Sequence, residues 1–191
     1  SGNKVEAIAT DTKKPQTFYA KWVEANYTIK FITNDGKEVP DLRYTYGSAS
    51  TLKKSSREGY TFGGWYYDAG LSSPVGEQIS ANKLPTSGSE TVMLYAKWNP
   101  IQYTITYDTY GGKILSGKVD SYHTGEEVTL PTAVHRDGFS FAGWYADDLL
   151  TTLATKINAG DYGNKTFYAT WSRGFSVILS HVSSTVLQAQ S

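Results

Sequence analysis

The stretches GYTFGGWYYD at residues 59–68 and GFSFAGWYAD at residues 138–147 decide how this chain is organised. Both begin with glycine and an aromatic residue, and both place a tryptophan between glycine and tyrosine. Such a phrase serves as a ligand platform, as the floor of a catalytic site or as the core of a repeated module. Because Trp65 and Trp144 recur 79 residues apart in one chain, internal repetition has to be tested first.

Two further phrases recur around this one, in the same order. An opening phrase occurs as YTIKF at residues 27–31 and as YTITY at residues 103–107. A closing phrase with the pattern Tyr-Ala-x-Trp occurs three times, at residues 17–22, 93–98 and 166–171. Every tryptophan of the chain falls within one of these phrases, namely Trp22, Trp65, Trp98, Trp144 and Trp171. The chain therefore contains two full repeats.

The spacing of the phrases predicts four parts of the chain. They are residues 1–26 as the end of a preceding repeat with a linker, 27–98 and 103–171 as two repeat modules, and 172–191 as a tail. Ser1-Gly2 is typical of the remnant of a removed tag. Within the tail, residues 175–179 resemble the opening strand of a further repeat, and an unrelated apolar segment is the alternative. Four residues join one repeat to the next and reach at most about 14 Å, so we expect modules placed end to end.

Apolar residues alternate with polar ones in the opening and closing phrases, which predicts strands with one buried face. Tyr27, Ile29 and Phe31 share a face, as do Leu94 and Ala96. Glycine-containing turns and second strands follow the opening phrases, at residues 34–36 and 110–112 for the turns. With a short helix near residues 149–158, these patterns predict a β-rich α+β module of about 70 residues, whose large aromatics offset its small core.

Alternation within the phrase that opens this section predicts an aromatic strand covered on both faces. Phe62 and Phe141 fall on one face, and Trp65 and Trp144 on the other. The adjacent glycines are expected to permit close backbone approach or a bulge. The residues predicted to be structural are Trp22, Trp65, Trp98, Trp144, Trp171, Gly64, Gly143, Phe62 and Phe141.

Composition excludes several classes of function. The 191 residues carry 18 basic and 18 acidic side chains, so no net charge attracts a nucleic acid or an anionic membrane. Cysteine is absent, which removes disulfides, thiolate metal sites and cysteine nucleophiles. No run of about 18 apolar residues is present, so we expect no membrane insertion of this fragment.

The sequence indicates no catalytic, cofactor or metal site, and we expect no enzymatic activity. The histidines do not recur at matching places and lack helical ligand spacing; they are His123, His135 and His181. Paired acids at Asp147-Asp148 and Glu126-Glu127 lack the alternating oxygen ligands of a calcium loop and are interpreted as solvated loop charges.

Tyrosines beside the tryptophans carry the alternative of a ligand-binding module. Tyr66, Tyr67 and Tyr145 are the candidate ligand contacts, and Tyr19 or Tyr95 would extend the same aromatic platform. Such rings stack on sugars in carbohydrate-binding proteins. Structural packing is favoured for the tryptophans, whereas the role of the tyrosines stays open.

Taken together, the three phrases resemble the Listeria–Bacteroides repeat, also called the internalin B-repeat. The resemblance covers both full repeats and the closing phrase at residues 17–22. It implies a β-grasp-like, ubiquitin- or SUMO-like module that occurs in tandem in extracellular proteins of the bacterial cell surface, with the anchor elsewhere in the protein.

The resemblance also implies a role as a stalk or spacer, sometimes with adhesion to host surface proteins or polysaccharides. No cofactor and no nucleic acid are implied. The two ends of the chain carry the partial repeats, and unpaired strand edges invite pairing. We therefore expect head-to-tail self-association through the terminal segments.

Overall fold

The computed structural model describes residues 6–7, 14–85 and 90–173, and it is almost entirely β-structure. Repeat 1 contains four strands, which are β1 (Asn26–Ile32), β2 (Leu42–Thr45), β3 (Tyr60–Tyr66) and β4 (Thr91–Pro100). Repeat 2 contains nine, which are β5 (Gln102–Asp108), β6 (Lys113–Ile114), β7 (Ser121–His123), β8 (Val128–Thr129), β9 (Val134–His135), β10 (Phe139–Tyr145), β11 (Leu153–Ala154), β12 (Lys156–Ile157) and β13 (Lys165–Arg173).

Both repeats build the same mixed sheet. The strand order is β2-β1-β4-β3 in repeat 1 and β7-β5-β13-β10-β11 in repeat 2, where β11 is an added edge strand. The opening strand pairs in parallel with the closing strand at the centre, from Thr28 opposite Thr91 to Ile32 opposite Tyr95. The outer pairs are antiparallel. Since the central strands run in the same direction, the chain begins each repeat at one end of the sheet and leaves it at the other.

A single residue, Ile101, connects the two sheets. Strand β4 ends at Pro100 and β5 begins at Gln102. Tyr60 is paired with Pro100, so the ladder between β3 and β4 continues to the last residue of repeat 1. The four-residue linker predicted from the sequence is thus largely strand.

The expected α component is not found among the described residues. They contain no α-helix, and the one helical turn is a 3₁₀ helix at Ala81–Lys83. The helix predicted near residues 149–158 is wrong, because β11 and β12 occupy that segment. One physical reason is that Ile157 is buried in the core. The other is that the Asp147 carboxylate accepts hydrogen bonds from the backbone of the preceding turn, where Leu150 has a φ of 56° that no α-helix contains.

Each repeat has its own hydrophobic core on one face of its sheet. The alternation predicted for the opening and closing strands is confirmed, since Ile29, Leu94 and Ala96 are fully buried. The buried core of repeat 1 consists of Tyr27, Ile29, Tyr44, Trp65, Val75, Ile79, Leu84, Val92, Leu94 and Ala96. That of repeat 2 consists of Ile105, Tyr122, Leu130, Trp144, Ile157, Phe167 and Ala169.

A bulge in strand β3 overturns the prediction that Phe62 and Trp65 lie on opposite faces. The register shifts between these two residues, and Gly64 has a φ of 107°. The extra residue turns the side chains to the same face, where the ring centroids are 5.2 Å apart. Phe141 and Trp144 behave alike in β10, with centroids 5.3 Å apart and a φ of 143° at Gly143. The predicted bulge is confirmed, and the predicted two-faced strand is wrong.

The closing tryptophans lock the turn that follows the opening strand. The indole N–H of Trp98 donates to the Thr33 carbonyl at 2.8 Å, and a Cβ built on Gly36 would collide with the indole ring. Trp171 repeats this arrangement with Thr109, at 3.0 Å, and with Gly112. Glycine is therefore required after the turn by the ring that occupies the side-chain position.

We expect Gly36→Ala to destabilise repeat 1 by about 1–3 kcal/mol, because a methyl group forced against a packed ring displaces it. Gly160→Ala is the matched control, since its added Cβ meets no described atom within 4 Å. Neither residue lies in the left-handed region, so backbone strain does not confound the comparison. Urea unfolding followed by tryptophan fluorescence measures both; equal midpoints for the two variants would contradict this account.

The N-terminal closing phrase forms no strand in this chain. Residues 15–25 are without regular structure, and Trp22 and Tyr19 are each 89% exposed. The described residues include no opening strand before this phrase, so it has no central neighbour to pair with. Its assignment to a preceding repeat stays a prediction, as does head-to-tail self-association. The tail beyond residue 173, with its suggested further strand, lies outside the described residues.

Candidate functional site

The tryptophans of the two full repeats are used for packing. Trp65 and Trp144 are 3% and 2% exposed. Their indole N–H groups donate to the carbonyls of Lys53 and Pro131, at 2.9 and 2.7 Å. Because both the rings and their only donor groups are engaged inside the protein, they do not offer a platform to a ligand.

A row of aromatic and aliphatic side chains crosses the other side of sheet 1. Tyr95 alternates with the buried Leu94 and Ala96, so it lies on the face opposite the core. Ile32 and Tyr66 are its partners on the two neighbouring strands and share that face. This outer face comprises Ile32, Tyr66, Met93, Tyr95 and Lys97, with the Lys97 ammonium 5.4 Å from the Tyr66 ring centroid.

Repeat 2 carries the corresponding row. Tyr145 is paired with Tyr168 across β10 and β13, as Tyr66 is with Tyr95 in repeat 1. The ring of Tyr110 lies 6.4 Å from that of Tyr168. The sequence prediction did not include Tyr168. The alternation of the closing phrase could have identified it, because Tyr168 stands between Phe167 and Ala169 and therefore lies on the other face of the strand.

Tyr67 belongs to a different environment. Its ring packs against the core of repeat 1, and its hydroxyl accepts a hydrogen bond from the Ser80 backbone N–H at 2.8 Å. Ala146 stands at the equivalent place in repeat 2. Of the three tyrosines proposed as ligand contacts, the structure brings Tyr66 and Tyr145 to outer faces and places Tyr67 against the core.

The conspicuous acids bind their own loops. Asp68 accepts the backbone N–H groups of Ser72 and Ser73, and Asp147 accepts those of Thr151 and Thr152, at 2.7–3.1 Å. These backbone hydrogen bonds to the ionised form hold both carboxyl pKa values below the ordinary 3.8. The carboxylates are thus consumed by turn formation.

Asp147→Ala is expected to lower the Tm at neutral pH, because three donors, two backbone N–H groups and the Thr151 hydroxyl, lose their acceptor. A pKa lowered by folding stabilises the protein above the unfolded-state pKa, and this contribution disappears as the pH falls through the folded-state value. The Tm difference from the unmodified chain should therefore shrink as the pH drops below about 4. Calorimetry at several pH values measures it.

Asp148→Ala removes the adjacent carboxylate and serves as the control for charge alone. A Tm difference for Asp147→Ala that stays constant from pH 7 to pH 2, or one that Asp148→Ala reproduces, would contradict the loop-anchoring role of Asp147.

Two of the histidines and the acids Glu126 and Glu127 form local pairs, and His181 lies outside the described residues. His123 Nδ1 lies 3.4 Å from Glu126, His135 Nε2 lies 2.8 Å from Asp137, and Glu127 pairs with Lys156. Within residues 6–7, 14–85 and 90–173, no group of three or more histidines and acids is arranged to hold a metal ion. The same residues contain no helix with the length and apolar character needed to cross a bilayer.

The chain folds into two consecutive mixed β-sheets whose main strands have the same order. In each sheet a tryptophan of the closing strand packs over a glycine-containing turn, and this duplication defines a tandem-repeat protein. The Listeria-Bacteroides repeat domain profile matches residues 27–97 and 103–170. The chain belongs to this repeat family, whose tandem members are typical of bacterial surface proteins and are generally non-catalytic.

The relatives are longer proteins of bacterial membranes and surfaces. A predicted Gly-rich membrane protein of Evansella cellulosilytica is 33% identical over 83% of this chain, and a predicted membrane protein of the same organism is 35% identical over 82%. Internalin H of Listeria monocytogenes is 35% identical over 62% of the chain. The chain covers 18%, 22% and 20% of the lengths of these three proteins.

Proposed function

We propose that the chain is a non-enzymatic spacer segment of an extracellular bacterial surface protein, in which tandem repeats hold another domain away from the envelope. The observation that carries this proposal is the parallel pairing of the opening and closing strands in both repeats. With this topology the chain enters each repeat at one end of the sheet and leaves it at the other end, so the next repeat begins beyond the previous one. The ten residues of β4 alone extend about 33 Å, at roughly 3.3 Å per residue.

The absence of catalysis is part of the proposal. It is supported by the generally non-catalytic character of the repeat family. It is also supported by the use of Asp68 and Asp147 as internal acceptors, which leaves their lone pairs committed to loop amides.

We also propose a β-grasp-like architecture for each repeat. The mixed four-stranded sheet with a parallel central pair supports it. In repeat 1 the connection from β2 to β3 crosses from one edge of the sheet to the other, and β3 then returns antiparallel to β4 through a segment with a 3₁₀ turn at Ala81–Lys83.

Small-angle X-ray scattering tests the spacer role. A compact protein of this length has a radius of gyration of about 16 Å. We expect a larger value, with an asymmetric distance distribution and a maximum dimension of at least about 60 Å from two consecutive sheets. The same measurement on residues 26–173 removes the contribution of the chain ends. A radius near 16 Å with a symmetric distribution would refute the spacer role.

The outer-face tyrosines favour a second candidate function, which is adhesion to a polysaccharide or a host surface protein. Tyr66 and Tyr145 recur at equivalent positions beside Tyr95 and Tyr168. Aromatic rings on a regular surface are suited to stacking on sugar rings.

A glycan array followed by fluorescence titration tests this candidate. Tyr66→Ala is expected to weaken binding at least tenfold, because the stacking ring is lost. Tyr46→Ala is the control, since Tyr46 is an exposed tyrosine of repeat 1 that lies outside the outer face, whereas Tyr66 is half-buried within it. No binding across diverse glycans, or equal loss in both variants, argues against the adhesive role.

A further inference from the structure

Ile101 carries one backbone hydrogen bond to each repeat. Its N–H donates to the Gly59 carbonyl of repeat 1 at 3.0 Å. Its carbonyl accepts from the Thr124 N–H of repeat 2 at 3.1 Å. Rotation at the connecting residue would break one bond or the other, so the connection itself opposes bending.

The side of repeat 1 is also in direct contact with repeat 2 at Gly59. Gly59 is buried, and a Cβ built on it would lie 2.7 Å from Thr124 Cγ2 and Oγ1 and 3.0 Å from Tyr162 Cβ. A Cβ on Gly125 would lie 3.4 Å from the Tyr60 hydroxyl. Thr124 is itself buried, at 6% exposure. The joint, comprising Gly59, Tyr60, Ile101, Thr124, Gly125 and Tyr162, is therefore a packed contact.

Repeat 2 presents the same turn without such a contact. Gly138 corresponds to Gly59 in the repeated phrase and has nearly the same φ, 76° against 78°. An arginine guanidinium covers the next aromatic ring in both turns, at 4.2 Å for Arg57 and Tyr60. Yet Gly138 is exposed, and its added Cβ meets no described atom within 4 Å. The turn of repeat 2 therefore adopts the same shape with no neighbour packed on it among the described residues.

The receiving side recurs as well. Tyr46 holds the position of Thr124, and its N–H donates to the Ala25 carbonyl at 2.9 Å, as Thr124 does to Ile101. Tyr46 and Gly47 are exposed in this chain. Each repeat therefore builds both halves of the joint from its own residues.

We propose that the turn of one repeat is a docking surface whose partner is the loop at Thr124 and Gly125 of the following repeat, and that this joint holds consecutive repeats at one fixed angle. Glycine at position 59 is required because the neighbouring repeat fills the space of a side chain. This rests on the proposed spacer function and specifies how the spacer is kept straight or uniformly curved.

Distance measurement between two spin labels tests the joint. The chain has no cysteine, so Lys30→Cys and Thr166→Cys place one label on an exposed strand position of each repeat. Pulsed dipolar spectroscopy of the otherwise unmodified chain is expected to give a single narrow distance distribution. Adding Gly59→Ala should widen it at least twofold, whereas Gly138→Ala should leave it unchanged.

The two alanine variants carry equal backbone strain, since the φ values of their glycines differ by 2°. Their difference therefore reports the docking contact alone. A broad distribution in the parent, an unchanged one in Gly59→Ala, or equal widening in Gly138→Ala would each overturn the proposal.

Three further variants decide the question if Gly59→Ala does not fold, as judged by circular dichroism. Thr124→Lys puts a charged side chain into the joint and should widen the distribution. Tyr46→Lys puts it at the equivalent exposed position and should not. Thr124→Val keeps the shape and should stay narrow, because the Thr124 hydroxyl is buried without a hydrogen-bond partner among the described residues. A wider distance distribution in Thr124→Val, or an unchanged distribution in Thr124→Lys, would overturn the proposed joint.

The scattering profile separates this proposal from the spacer role. An elongated profile combined with a broad distance distribution removes the fixed joint and leaves the spacer role in place. A compact profile removes the spacer role itself.

Discussion

The parallel pairing of the opening and closing strands is the constraint on which the rest of this structure depends. An antiparallel pair of opening and closing strands would return the chain to the end of the sheet where it began. Strands β1 and β4 instead run in the same direction over five paired residues. The next repeat must therefore start where the previous sheet ends, and a single residue, Ile101, suffices for the connection. Tandem order, short connection and contact between neighbours all follow from this one pairing.

The aromatic residues stabilise so small a sheet in a chain that has no cysteine for disulfides. Phe62 contacts both Trp65 and Trp98, with ring centroids 5.2 and 5.4 Å apart, and the same triad recurs around Phe141. Each indole N–H is satisfied by a backbone carbonyl of a neighbouring loop. One tryptophan thus buries a large apolar ring and fixes a loop at the same time, which is why the chain repeats tryptophan at these positions.

Much of the fold could be predicted from local patterns, and the failures have physical causes. The alternation of apolar and polar residues located the opening and closing strands, because only one face of the sheet, which carries Ile29 and Leu94, is buried in the core. Alternation failed at Phe62 and Trp65, where a bulge adds a residue and reverses the face. The helix near residues 149–158 failed because the Asp147 side chain organises that segment, and a side-chain anchor leaves no periodic signal.

The site was harder to predict, because it depends on residues far apart in sequence. The outer rows depend on pairing across strands, so Tyr145 could be identified from its own phrase whereas its partner Tyr168 was missed. The contact of Gly59 with Thr124 spans two repeats and has no counterpart in a single phrase. The parallel central pair has a mechanical consequence too. Tension applied to the two ends of a repeat would shear the whole β1–β4 ladder at once instead of unzipping it bond by bond, so resistance to pulling is built into the order of the strands.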